Sequence, residues 1–257
     1  MSPNQLDVVV VPGAWTQPSA YRNLAAALEA RDFTVHVPAL PTNDDSRPPN
    51  STFDADVEAV RQVVKPLVEE DGGKDVVLLM HSYGGVVGTN SIAGLARRDR
   101  QVRNLRGGVV QLIYAASSML AENQTIRTVV REVNLPRRGA LVKFEDDGTW
   151  FPSDPVSLLY HDLEPEDQKE QLALPRHGNS ACLTGEATYE AWRGIPTTYV
   201  RAAEDQWLPP EFQDFCLENA ANAGVSVNVE VLDSGHSPYV KFANELADMV
   251  VKVCRSA

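Results

Sequence analysis

The chain reads as an α/β protein: a mostly parallel central sheet with helices on both faces, carrying a small, mainly helical cap insertion. Three observations predict this. Apolar runs at Leu6–Val11, Val76–Met80 and Gly108–Tyr114 suit strands buried on both faces. Stretches of helical periodicity alternate with those runs, as crossover connections of a parallel sheet require. Between residues 116 and 194 the alternation stops, and it resumes at Thr197. The expected division is therefore a core domain of residues 1–115 and 195–257, with 116–194 as an insertion packed over one end of the sheet.

Taken in order, the first strand ends at Pro12-Gly13-Ala14-Trp15. A helix is expected over about Ser19–Arg31, with Pro18 suited to its first turn. Thr34–Val37 is a short strand closed by Pro38, and residues 39–50 are a loop by composition. Ser51-Thr52-Phe53-Asp54 resembles a capping box and opens a helix running to about Glu70, kinked at Pro66 and ended by Gly72-Gly73. The run Val76–Met80 then breaks on small residues and passes into a predicted helix, Val86–Arg98. After the strand Gly108–Tyr114 comes the insertion, expected to hold helical fragments and no buried strand. Its acidic clusters, Glu145-Asp146-Asp147 and 162–167, read as solvated surface. Its aromatics Trp150, Phe151, Tyr160 and Trp192 suit either a small core or a pocket wall. Thr197–Val200 and Val225–Leu232 are the last strands, and the final helix runs from about Tyr239 to Val253.

At 257 residues the chain is long enough for one large α/β domain. A formal net charge of −12, with no Lys/Arg run, disfavours nucleic acid as a partner. The three cysteines, Cys182, Cys216 and Cys254, lack metal-ligand spacing and read as reduced structural thiols. His36, His161 and His177 are scattered, so neither a metal nor another cofactor is expected. No stretch approaches the ~20 apolar residues of a membrane span. The expectation is a cytoplasmic protein whose partner is a small-molecule substrate, with no nucleic acid and no membrane; oligomeric state is left open.

The chemistry centres on Met80-His81-Ser82-Tyr83-Gly84-Gly85. A serine at a strand-to-helix break sits in a tight turn with its hydroxyl above the sheet edge, and the next N–H points at whatever that hydroxyl attacks. A dinucleotide-binding turn is the rival, but the stretch lacks the first glycine of that fingerprint and puts Tyr83 where a diphosphate would approach. In a parallel sheet the loops holding Ser82, Asp205 and His236, and the Pro12–Trp15 turn, all fall on the carboxyl edge. A serine needs a base, and an imidazole needs a carboxylate to hold its tautomer. Ser82, Asp205 and His236 follow in the chain order this architecture imposes. Tyr83 N–H offers one oxyanion donor and Ala14 N–H a second, because Gly13 lets the backbone approach. His81 reads as a packed or hydrogen-bonded histidine, and Glu204 is the alternative acid. Trp15, Trp207 and Tyr239 flank these loops and are the candidate substrate contacts.

The sequence resembles the α/β-hydrolases, in the small branch of plant-type methyl esterases, hydroxynitrile lyases and fungal and bacterial esterase-like proteins. The residues that carry the resemblance are Pro12-Gly13-Ala14-Trp15, His81-Ser82-Tyr83-Gly84-Gly85, Glu204-Asp205-Gln206-Trp207-Leu208-Pro209 and Ser234-Gly235-His236-Ser237-Pro238. It implies Ser82 as nucleophile, His236 as base, Asp205 rather than Glu204 as orienting acid, the Ala14 and Tyr83 amides as oxyanion hole, and residues 116–194 as cap. Two positions depart from the pattern: Met80 replaces a small residue, which would tighten the elbow, and Pro12 replaces a frequent His. The hydroxynitrile lyases carry a Lys directly after the catalytic His, where this chain has Ser237.

The function expected is a cofactor-free serine hydrolase. It would cleave an ester or lactone of a small to medium, largely apolar molecule through an acyl-enzyme on Ser82. The substrate class follows from the aromatic cap and the absence of basic clusters. The alternatives are a non-hydrolytic enzyme (lyase, condensation or cyclisation) using His236 as base, and a small-ligand binding module.

Overall fold

The computed structural model describes residues 6–44, 46–70, 72–135, 141–174 and 178–256. Its frame is a six-stranded parallel sheet in the order β2-β1-β3-β4-β8-β9. The strands are β1 (Leu6–Val11), β2 (Thr34–His36), β3 (Asp75–Ser82), β4 (Gly108–Ser117), β8 (Thr197–Ala202) and β9 (Asn228–Leu232). The central strands are the apolar runs: all of β1 is buried, as is β3 beyond Asp75. From β1 the chain steps one way to β2 and then the other way to β3. The carboxyl ends of β1 and β3 thus flank the point where strand order reverses, which is where open α/β sheets hold ligands.

Helices α1 (Arg22–Glu29), α2 (Phe53–Glu69), α3 (Gly84–Ser91), α4 (Arg97–Val102), α8 (Pro210–Asn222) and α10 (Ala243–Ser256) accompany the sheet. Thr52, one residue later than the sequence pattern suggests, caps α2 by accepting the Ala55 N–H, and α2 continues through Pro66. The predicted helix Val86–Arg98 is two helices. The first stops at Ser91 and a turn follows, in which Gly94 adopts φ 78°, a left-handed conformation that ends helices and favours glycine. The predicted first helix likewise begins as a 3-10 turn, Pro18–Tyr21, before α1. At the C-terminal end the short helix α9 (Pro238–Lys241) precedes α10.

Between β4 and β8 lie α5 (Ile126–Glu132), α6 (Pro155–Leu159), α7 (Pro165–Ala173) and three short strands, β5 (Val142–Phe144), β6 (Thr149–Pro152) and β7 (Gly178–Asn179). The strands form an antiparallel sheet in the order β5-β6-β7. The expectation of no buried strand here is therefore corrected, since Thr149, Trp150 and Pro152 of β6 are buried. Trp15, in the turn after β1, joins this sheet to the core: its Nε1–H donates to the Trp150 carbonyl at 2.9 Å, and the two rings lie 4.3 Å apart. Trp192 is buried and donates to the Leu120 carbonyl, so of the four aromatics named above it serves packing. Among the described residues no helix is long and apolar enough to cross a membrane.

Candidate active site

Ser82 closes β3 with φ 53°, a left-handed conformation that costs a non-glycine residue energy and persists only where the surroundings hold it. Its carbonyl accepts the Ser118 N–H at 3.1 Å and the hydroxyls of Ser117 and Ser118 at 2.9 and 3.0 Å. Pairing with β4 also shifts register between His81 and Ser82. The turn needs its glycines: a Cβ on Gly84 would stand 2.6 Å from the Pro12 carbonyl, and one on Gly85 2.5 Å from that of Ser118. Met80 is accommodated in the same way. A Cβ on Gly88 would meet the Met80 Sδ at 2.6 Å, so a glycine one helical turn into α3 makes room for the large residue beside the elbow.

The three candidate triad residues meet. Ser82 Oγ lies 2.9 Å from His236 Nε2, and His236 Nδ1 lies 2.8 Å from Asp205 Oδ2. All three are at most 4 % exposed. The other Asp205 oxygen, Oδ1, accepts the N–H groups of Trp207 and Leu208 at 2.7 and 2.8 Å. Two backbone donors thus fix the carboxylate, and the remaining oxygen is aimed at the imidazole. Nδ1 donates to it, which leaves Nε2 unprotonated and able to accept the Ser82 hydroxyl proton. Glu204, the alternative acid, takes no part in these contacts.

The turn after β1 is held just as tightly. Gly13 N–H donates to the Tyr21 hydroxyl at 2.8 Å, and Trp15 N–H donates to Asn43 Oδ1 at 2.9 Å. Asn43 Nδ2 donates to the carbonyls of Gly13 and Thr16. Between the two engaged amides, Ala14 donates its N–H to no described protein acceptor, and Tyr83 N–H is in the same position. Both residues line the cavity above Ser82.

His81 is, as expected, a hydrogen-bonded histidine, and its bonds reach both sides of the site. Its Nε2 lies 2.8 Å from the His236 carbonyl and its Nδ1 2.8 Å from the Tyr21 hydroxyl. Burial, and then the neighbouring His236, hold its pKa well below the ordinary imidazole range. The ring is therefore neutral, with Nε2–H donating to the carbonyl and Nδ1 accepting from Tyr21. A continuous buried chain results, from Gly13 N–H through Tyr21 and His81 to the backbone of His236. Tyr239 is not a wall of the cavity: it is 1 % exposed and packs behind the site, 4.3 Å from the Tyr21 ring and 4.8 Å from that of His81. Trp15 and Trp207 do line the cavity.

Two carboxylates have functions that the sequence did not reveal. Asp56 is fully buried and accepts from Thr42 N–H, Thr42 Oγ1 and Tyr83 Oη at 2.9, 2.6 and 2.7 Å. Burial raises its pKa, and those hydrogen bonds oppose the rise. It thereby anchors the residue that follows Ser82. Asp162, read as part of a solvated acidic cluster, instead accepts the Gly235 N–H through Oδ2 at 2.9 Å. A Cβ on Gly235 would stand 2.5 Å from Asp162 Oδ1 and 2.7 Å from His161 Cε1, so the residue before His236 must be small.

The cavity over Ser82 has a volume of about 380 Å³, within the range of small-molecule sites. Trp15, Trp150, Trp207, Leu183 and Leu208 give it apolar walls. No group of His, Cys, Asp and Glu able to hold a metal ion occurs among the described residues; His177 lies outside them.

The sequence profile of the alpha/beta hydrolase family matches residues 8–249. The chain belongs to that family. Among curated relatives, this hydrolase-family chain is 28 % identical over 251 residues to "Alpha/beta hydrolase nvfD" of Aspergillus novofumigatus, covering 97 % of this chain and 95 % of the relative. It is 24 % identical to "Probable hydrolase R7" of a Phoma species, covering 96 % and 97 %. Among solved structures it resembles a pyrethroid hydrolase from Sphingobium faniae, with TM-score 0.72 and 22 % identity over 96 % of each chain. The Arabidopsis methylesterase MES16 gives TM-score 0.73 and 18 % identity over 98 % of this chain and 100 % of that one. At such identities the structural likeness speaks for the fold.

Proposed function

We propose that the protein is a cofactor-independent serine hydrolase that cleaves an ester or lactone of a small to medium, mostly apolar molecule. One observation carries the reading: the unbroken line Ser82 Oγ, His236 Nε2, His236 Nδ1, Asp205 Oδ2, with links of 2.9 and 2.8 Å, opening into an apolar cavity. In this reading Ser82 Oγ attacks the substrate carbonyl carbon while His236 Nε2 takes the hydroxyl proton. Asp205 keeps the imidazole in the required tautomer and stabilises its cation. The amides of Ala14 and Tyr83 hold the oxyanion, a donor pair whose loss costs roughly 3–4 kcal/mol per member in related sites. As the tetrahedral adduct collapses, His236 returns the proton to the departing alcohol oxygen, leaving an acyl-enzyme on Ser82. Water, deprotonated by His236, then releases the acid and restores Ser82. Residues 116–194 serve as the cap that closes the apolar side of the site, with Trp15 and Trp207 as substrate contacts.

Labelling with a fluorophosphonate, with the adduct mapped by mass spectrometry, tests this. A stoichiometric adduct on Ser82 that vanishes in His236→Ala is the expected result. A folded protein that takes no adduct refutes the activated nucleophile and turns the reading to ligand binding or non-hydrolytic chemistry with His236 as base.

A further inference from the structure

The sequence carries no basic cluster, yet the folding of the insertion brings two basic residues to the cavity. Helix α5 places Arg127 and Arg131 on the wall of the cavity above Ser82, both exposed and therefore at its solvent end. Among the described residues they are the cavity's charged lining, and no described carboxylate faces them across it. Neither forms an ion pair or hydrogen bond with any described residue, although the chain carries a net charge of −12 and acids are abundant on its surface. Two like charges at i and i+4 also disfavour a helix as short as α5 unless an anion sits between them. The helix is nonetheless held: Thr125 and Thr128 bond each other's backbone N–H reciprocally at 3.0 and 2.8 Å, and Val129 is buried beneath it. Ile126 and Val130 of the same helix face the cavity, so its wall passes from apolar to cationic on moving outward from Ser82.

We infer that Arg127 and Arg131 form a carboxylate-binding subsite, and that the substrate is an amphiphile: an ester or lactone on an apolar skeleton whose far end bears a free carboxylate. The inference rests on the hydrolase reading for the reaction, but not for binding. A planar guanidinium fork matches a carboxylate in two-point geometry, and two forks a helical turn apart can share one. The apolar walls take the skeleton, and the ester carbonyl reaches Ser82 once the acid is held at the rim. The acid therefore sets the register of the substrate in the cavity. This adds a charged end to the largely apolar substrate class.

The test separates binding from chemistry. Trp15, Trp150 and Trp207 line the cavity, so occupancy is read as a change in tryptophan emission in full-length Ser82→Ala protein. The probes are 6-phenylhexanoate and its primary amide, which differ in charge and little in shape. The acid is expected to bind about tenfold tighter than the amide or better. That preference should vanish in Arg127→Gln/Arg131→Gln and largely survive in Arg127→Lys/Arg131→Lys, whose folding is checked by circular dichroism. Equal affinity for acid and amide, no saturable binding of the acid, or a preference that outlasts the glutamine pair would each overturn the subsite. Fluorophosphonate labelling of Ser82 in the unsubstituted chain is measured alongside. If the acid preference holds while no adduct forms, the hydrolase reading fails and the subsite stands.

Discussion

Tyr21→Phe removes one oxygen atom from the middle of the buried chain that joins the turn after β1 to His236. The ring can stay in place, packed on Tyr239 at 4.3 Å and against His81 at 5.9 Å, so the loss is confined to hydrogen bonding. Two groups are stranded, the Gly13 N–H and the His81 Nδ1 lone pair, each 2.8 Å from the missing hydroxyl and each out of reach of solvent. A buried polar group left without a partner costs about 1–3 kcal/mol. Taking the lower half of that range, about 1–2 kcal/mol, for both gives roughly 2–4 kcal/mol, and at about 2–4 °C per kcal/mol for a chain of this size the melting temperature should fall by roughly 4–16 °C. On the proposed mechanism activity should fall as well, because Gly13 carries the amide of Ala14, the proposed oxyanion donor, into position. Outright loss of an oxyanion donor costs about 10²–10³ in kcat, so a displaced donor should cost around tenfold, with KM little changed. Differential scanning fluorimetry and steady-state hydrolysis of a neutral aryl ester read the two effects. A variant that melts within about 1 °C of the parent and turns over at the same rate would refute the reasoning, since the hydroxyl would then be dispensable.

Asp205→Asn keeps the shape of the loop but cannot enforce the tautomer of His236; kcat should drop by about 10³–10⁴, as in the Ser-His-Asp template, with fluorophosphonate labelling slowed in parallel. Gly235→Ala drives a methyl group against Asp162 and His161, which should cost about 1–3 kcal/mol by overpacking and lower kcat/KM, because His236 is the next residue. Cys216 is buried, with its thiol pushed up to about 12 by desolvation, so it should resist iodoacetamide at pH 8 until the protein is unfolded. His81 should make the fold sensitive to acid. Above about pH 6.5 neither folded nor unfolded chain protonates it. Below that the unfolded chain takes the proton and the folded chain, whose His81 pKa is depressed, does not, so stability falls by up to about 1.4 kcal/mol per pH unit. His81→Gln should flatten the decline in melting temperature between pH 6.5 and 5; an unchanged slope would remove His81 from the account.

What the sequence reveals of this fold is what periodicity and topology encode. Runs such as Val76–Met80 admit few readings other than strands buried on both faces, and once the strands are parallel their following loops share an edge. That is why Ser82, Asp205 and His236 could be brought together before any distance was known. Tyr21, Asn43 and Asp56 are not legible in the sequence, because each acts on a residue 27 to 60 positions away through side-chain contacts that no pattern announces. The end of α3 was marked by Gly94, a glycine just past a run of small residues, and was readable in principle. The strand Thr149–Pro152 was not: it is four residues long, contains a proline and pairs only with neighbours as short as itself. Helical spacing along α5 indicates a buried stripe, Ile126, Val129 and Val130, but not that the adjoining pair Arg127 and Arg131 would border the cavity. The contact of Asp162 with Gly235 is hidden for the same reason, since composition describes how acidic a segment is and not what it touches. Tyr239 flanks the right loop, yet burial turns it to the rear of the site.

The pairing of β4 with β8 has a consequence for the order in which the molecule is assembled. Leu112 lies beside Thr197, about 85 residues further along, so the sheet is completed only when the whole intervening excursion has been closed. Closing so long a loop carries an entropy cost that shorter pairings such as β3 with β4 do not bear. Asp205 and His236 both lie beyond that closure. A chain emerging from the ribosome therefore displays Ser82 well before Asp205 and His236 can reach it, and on the proposed mechanism the hydroxyl is through that interval an ordinary alcohol. On the proposed mechanism, acylation of Ser82 is withheld until the last quarter of the chain docks, by which time the cavity walls are in place to decide what reaches it.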